Sequence, residues 1–265
     1  MITPMPDTHI NLGGIYKELG QLDQALAATL KSLELKHDNP DAHMNLGGIY
    51  KELGQLDQAL AATLKSLDLK PDNPDTHINL GGIYKELGQL DQALAATLKS
   101  LDLKPDNPDA HMNLGGIYKE LGQLDQALAA TLKSLDLKPD NPDTHINLGG
   151  FYKELGQLDQ ALAATLKSLD LKPDNPDAHM NLGGFYKELG QLDQALAATL
   201  KSLELKPDNP DTHINLGGIY KELGQLDQAL AATLKSLELK PDNPDAHMNL
   251  GGIYKELGQL DQALA

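Results

Sequence analysis

The chain has no cysteine, no tryptophan and no arginine, and only two phenylalanines in 265 residues. Without cysteine there is no disulfide and no thiolate metal site, so redox logic fixes no compartment. Without arginine, the planar bidentate fork that grips phosphate and carboxylate is missing. Leu and Ile, eight Tyr and a few Met must fill whatever core forms. Thin repeated layers suit that supply better than one ordinary globule. Positive charge is also scarce: 38 acids face 22 lysines, for a formal net charge of −16. Such a chain repels phosphate backbones, so no nucleic-acid partner is expected. No apolar run approaches a membrane span, so no membrane partner is expected. Met1-Ile2-Thr3-Pro4-Met5 has neither the basic nor the apolar region of a secretory signal, and a cytoplasmic location is expected.

The chain is instead one unit written eight times. Asp7 recurs as Asp41, Asp75, Asp109, Asp143, Asp177, Asp211 and Asp245, always 34 residues apart. Units start at Pro6, Pro40, Pro74, Pro108, Pro142, Pro176, Pro210 and Pro244, and the last stops at Ala265, a few residues into its second helix. The expected organisation is a leader over residues 1–5 and a single all-α array over 6–265. A period of this length signals stacked helix pairs.

Residues 40–73 serve as the template. Asn39-Pro40-Asp41 reads as a helix start: Asn caps, Pro suits the first helical position, and Asp favours the positive end of the dipole. Leu46, Ile49, Tyr50 and Leu53 fall on one helical face. Gly54 then reads as a left-handed C-terminal glycine. Asp57 is expected to cap the second helix. That helix carries a large stripe, Leu60/Leu64/Leu67, and a small one, Ala59/Ala62/Thr63/Ser66, which implies neighbours on two sides. Pro71 ends it, because proline cannot continue the ladder. One hairpin cannot bury both stripes, whereas a stack of hairpins can.

Leu46-Gly47, Tyr50, Ala59 and Pro71 sit in the register of the tetratricopeptide repeat, which the chain resembles from residue 6 to 265. The resemblance implies a right-handed α-solenoid superhelix of eight helix-turn-helix repeats, with the last one truncated. Two departures recur. His43 stands at the usual Trp position and Thr63 at the usual bulky aromatic of the second helix, so each layer lacks two large anchors. His43 is expected to take the aromatic's place and pack against Thr63.

The units alternate. Odd ones read as Asp75-Thr76-His77-Ile78 and even ones as Asp41-Ala42-His43-Met44, which points to duplication of a 68-residue pair. No polar capping helix is visible at either end, although solenoids usually need one. Head-to-tail self-association is therefore expected.

By the resemblance, the first helix of each pair lines an inner groove holding Asp41, Met44, Asn45, Gly48, Lys51 and Glu52. Asn45 is the leading candidate. It neighbours Gly48 one turn on and lies off the core stripe. An amide offers donor and acceptor together and so matches a peptide unit of any sequence. One Asn per layer, with packed helices about 8–10 Å apart, meets an extended chain roughly every third residue. The candidate peptide-binding set is Asn11, Asn45, Asn79, Asn113, Asn147, Asn181, Asn215 and Asn249, with Gly48, Gly82, Gly116, Gly150, Gly184 and Gly218 as an open floor. Lys51, Lys85, Lys119, Lys153 and Lys187 belong to the same set, as do Met44, Ile78, Met112, Ile146 and Met180. Mid-helix glycine costs roughly 1 kcal/mol relative to alanine, and the second glycine of each pair has no evident packing reason.

Pro-Asp-Ala-His-x-Asn-Leu also resembles the tetratricopeptide arm of O-linked N-acetylglucosamine transferases, which implies an Asn ladder holding a polypeptide by its backbone. The expected function is a peptide-binding scaffold, a recruiting arm of a larger protein, for an extended segment of neutral to basic character. The competing reading is a structural or self-assembling array, natural or engineered, with no dedicated ligand. No catalytic residue, metal or cofactor is expected. Equivalent His side chains lie about a layer apart, too far to share an ion at zinc bond lengths, and identical repeats build no unique catalytic cluster. The acidic loops read as helix caps, and the Lys65/Asp68/Lys70 charges as a solvated face.

Overall fold

The computed structural model describes residues 5–259, so most of the leader and the second helix of the eighth repeat lie outside the described residues. The chain falls into two compact units, Met1–Pro139 and Asp140–Ala265. The first holds α1 (Pro6–Glu18), α2 (Leu22–Leu35), α3 (Pro40–Glu52), α4 (Leu56–Leu69), α5 (Pro74–Glu86), α6 (Leu90–Leu103), α7 (Pro108–Glu120) and α8 (Leu124–Leu137). The second holds α9 (Pro142–Glu154), α10 (Leu158–Leu171), α11 (Pro176–Glu188), α12 (Leu192–Leu205), α13 (Pro210–Glu222), α14 (Leu226–Leu239) and α15 (Pro244–Glu256). No strand occurs among the described residues.

In each unit the helices pack as antiparallel pairs stacked in sequence order. In the first unit α3 packs on α4, and the pair meets α2 and α1 on one side and α5 on the other. The second unit repeats this pattern around α11 and α12. This is the nearest-neighbour stacking of a solenoid.

The helix ends follow from their residues. Asn39 Oδ1 accepts from the backbone N–H of Asp41 at 3.2 Å and Ala42 at 3.4 Å, with Pro40 between them contributing no donor. At the other end Gly54 has φ +72°, which only glycine adopts freely. Its N–H reaches Lys51 O and the Gln55 N–H reaches Tyr50 O, both at 2.9 Å, the paired bonds of a Schellman turn. The second helix starts differently from expectation. Its N-cap is Gln55, which makes no side-chain cap bond, and Asp57 sits within the first turn. Asp57 therefore acts on the dipole and not as a cap.

Burial corrects the reading of the two stripes. Ala59, Ala62, Thr63 and Ser66 are buried, whereas Leu60 and Leu67 are half-buried and Leu64 is 40% exposed. Small side chains let the paired helices approach closely, and the close side of the helix becomes the core. From the first helix, Ala42, Leu46, Gly47 and Ile49 complete it, with Ile49 at 0% exposure. A Cβ on Gly47 would overlap Thr63 Oγ1. Glycine and threonine at these two positions are thus a matched pair.

His43 also departs from expectation. It is only half-buried, and its Nε2 is hydrogen-bonded at 3.0 Å to His37 O in the preceding loop. His77 does the same with Pro71 O at 2.9 Å, and His179 with Pro173 O at 2.9 Å. The ring ties helix to loop, while the Thr63 hydroxyl faces Gly47.

Candidate functional site

Successive first helices touch directly within each unit, α1–α3–α5–α7 and α9–α11–α13–α15. Equivalent side chains therefore recur along one wall, four repeats per unit. Asn45, Asn79, Asn113, Asn181, Asn215 and Asn249 are half-buried, and Asn11 and Asn147 are exposed. Asn113 Nδ2 donates to Ile78 O of the preceding first helix at a long 3.5 Å. Among the described residues no other side-chain amide of this series is hydrogen-bonded within the protein.

Four lysines of the candidate set, Lys51, Lys85, Lys153 and Lys187, are engaged between repeats. Lys17 pairs with Glu52 at 3.0 Å, Lys51 with Glu86 at 3.3 Å, and Lys85 with Glu120 at 3.6 Å. In the second unit Lys153 pairs with Glu188 at 3.0 Å, Lys187 with Glu222 at 3.4 Å, and Lys221 with Glu256 at 3.2 Å. Each lysine thus reaches one repeat forward to an acid 35 residues on. These pairs are about a third to a half exposed, so solvent screens them and each is worth at most about 1 kcal/mol.

This ladder explains much of the glycine floor and corrects the expectation that the second glycine has no packing role. A Cβ on Gly48 would stand 3.1 Å from Lys17 Nζ, and one on Gly82 3.1 Å from Lys51 Nζ. One on Gly116 would stand 3.4 Å from Lys85 Nζ, and one on Gly218 2.9 Å from Lys187 Nζ. The glycine leaves a lane in which the preceding repeat's lysine lies. At Gly184 nothing comes within 4 Å and the lane is open.

The apolar members of the set also join repeats. Asn73, which caps α5, directs Nδ2 at Met44 Sδ at 4.0 Å, and Asn209 does so to Met180 Sδ at 3.9 Å. Met112, Ile78 and Ile146 are half-buried at equivalent positions. The glutamates completing the ladder were missing from the candidate set. Their signal was the unvarying Lys-Glu dipeptide, whose two charges pair with different repeats.

Among the described residues no three His, Asp or Glu side chains gather closely enough to hold a metal ion. No described helix is long and apolar enough to cross a membrane.

Stacked helix pairs of 34 residues, with a Schellman glycine in each and an Asn-Pro start in every repeat after the first, define a helical-repeat protein. The family profile described as "TPR repeat" matches residues 13–54, 47–88, 81–122, 115–156, 149–187, 185–224 and 217–258. The chain belongs to the tetratricopeptide-repeat family. No curated protein matches it. Among solved structures it is similar to a chain of the APC/C hetero-tetramer Cut9–Hcn1, with TM-score 0.79 and 22% identity, over 91% of this chain and 48% of that one. It thus spans about half the length of that relative. It is also similar to PilF of Pseudomonas aeruginosa, with TM-score 0.70 and 20% identity, over 82% and 97%. A third is YrrB, described as a TPR protein with an unusual peptide-binding site, with TM-score 0.53 and 24% identity, over 71% and 96%.

Proposed function

We infer that the chain is a non-catalytic scaffold that holds an extended polypeptide of neutral to basic character along its first helices. The Asn series is the contact. The observation that carries this reading is a half-buried or exposed amide on each first helix, with donor and acceptor unspent in nearly every repeat. A buried amide would be spent within the fold; these are held at the surface and matched in chemistry to a peptide backbone. The description of YrrB as a peptide-binding relative is consistent with it. The paired lysines are occupied by glutamates, and Asp41, Asp75 and Asp109 are exposed on the first helices, one turn before the asparagines of the series. Carboxylate-ended ligands therefore find no free cation among the paired lysines, while basic side chains find acids.

The test is fluorescence anisotropy with a labelled, unstructured Gly/Ser/Lys peptide. Replacing Asn45 and Asn79 by Ala removes two hydrogen-bonding side chains, and a loss of roughly tenfold or more in affinity is expected. Unchanged affinity in a folded double variant would overturn the reading.

Self-association is a second reading with its own observation. On α1, Leu12, Ile15 and Leu19 are 37%, 54% and 64% exposed, whereas their equivalents Leu46 and Ile49 are buried. A helix like those inside the stack would cover this face. Sedimentation velocity distinguishes the two: concentration-dependent association that Ile15→Lys abolishes favours this reading, and a single species at all concentrations removes it.

A further inference from the structure

The junctions between repeats are of two kinds, and they alternate. Where an even repeat meets an odd one, Ser66 Oγ donates to Pro40 O at 2.8 Å and stands 3.4 Å from Thr76 Oγ1 of the next repeat. The single serine proton is spent on the carbonyl, so the Thr76 hydroxyl donates to Ser66 Oγ. In the second unit Ser202 donates to Pro176 O at 2.9 Å and meets Thr212 Oγ1 at 3.4 Å. The Asn73–Met44 and Asn209–Met180 contacts lie at these same two junctions.

Where an odd repeat meets an even one, the facing residue is Ala42, Ala110, Ala178 or Ala246. There the serine hydroxyls of Ser32, Ser100, Ser168 and Ser236 are buried without a partner. Apart from the Asn caps and the histidine-to-loop bonds, which occur at both kinds of junction, the long Asn113–Ile78 bond is the one side-chain hydrogen bond seen crossing an odd-to-even junction among the described residues. A buried unpaired hydroxyl is a debit to its interface, and a bonded one is a credit. The backbone and the Lys–Glu ladder are shared by both kinds and do not distinguish them.

We propose that each unit is jointed: repeats 2 and 3, and repeats 6 and 7, move as rigid blocks, and bending is confined to the odd-to-even junctions. Within a unit the order is yielding, rigid, yielding. The groove wall then adjusts to an occupant between blocks of 68 residues and not uniformly along its length.

The absence of native cysteine makes the test direct. Spin labels on the full chain at Lys65→Cys/Lys99→Cys report the junction of repeats 2 and 3, and labels at Lys99→Cys/Lys133→Cys report that of repeats 3 and 4. All three lysines are exposed. The expected result is a narrower distance distribution for the first pair. Ala110→Thr gives Ser100 its missing partner and narrows the second; Thr76→Ala broadens the first. Each substitution copies a residue already tolerated at the equivalent position, so folding is retained. Equal widths for the two pairs, or widths that neither substitution moves, would overturn the joint.

Discussion

Thr63 Oγ1 occupies the space that a Cβ on Gly47 would need, and the same holds for Thr97 with Gly81 and Thr199 with Gly183. The missing aromatic of the second helix and the glycine of the first are therefore one feature. The helices close until the hydroxyl meets bare backbone. Gly47→Ala is expected to destabilise by about 1–3 kcal/mol, the usual cost of overpacking. Adding Thr63→Ala should recover part of it, although Ala59 O at 3.2 Å from the new Cβ still crowds the site. Urea denaturation of both singles and the double checks this, and strict additivity would count against the pairing.

The second glycine behaves differently from place to place. Gly184→Ala enters open space and is expected to stabilise by about 0.5–1 kcal/mol through helix propensity. Gly218→Ala displaces the Lys187 ammonium from its lane and strains the pair with Glu222, so its gain should be smaller. Comparing the two thermal midpoints tests whether the lane matters.

Identical serines should respond oppositely to one substitution. Ser66→Ala breaks the relay from Thr76 to Pro40 O and leaves the Thr76 hydroxyl unpaired, at a cost of about 1–3 kcal/mol. Ser100→Ala removes a buried hydroxyl that has no partner and should be neutral or stabilising. Equal losses in chemical denaturation would contradict the assignment.

One surface pair is visible to pH. The hydrogen bond from Lys31 Nζ at 2.6 Å, with its charge, holds the Glu34 carboxyl below the usual glutamate range. A lowered native value means the pair supports the fold above the ordinary carboxylate range and loses that support as pH falls through the depressed value. Both partners are exposed, so the effect on stability is small. A carbon-13 titration should place Glu34 low in the wild type and return it towards the usual value in Lys31→Ala.

Much of this fold was legible because its devices are local. Asn39-Pro40, Gly54 and the Leu46/Ile49 spacing act within one turn of themselves, and each behaves as its chemistry dictates. Depth was not legible. Period 3.6 shows which residues share a face but not how near the neighbour comes, so Leu64 read as core while Ala62 proved to be deeper. Partnerships across the stack were hidden for the same reason. Lys51 and Glu86, or Ser66 and Thr76, meet only once the stacking register is known. At the groove wall, sequence placed Asn45 on the first helix but did not show that Lys17 roofs Gly48. His43 read as a replacement anchor because of where it stands in the pattern; its ring instead ties down the turn before it.

The Ser66–Thr76 relay has a consequence for editing the array's length. Excising repeat 2 would splice Ser32 onto Thr76 and give an orphan hydroxyl a mate. Excising repeat 3 would set Ser66 against Ala110, so that Ser66 keeps its bond to Pro40 O but loses the threonine hydroxyl across the seam. Two shortened proteins of equal size and nearly equal composition would thus inherit different seams, and an internal excision leaves the original alternation in phase when it takes an even number of adjacent repeats.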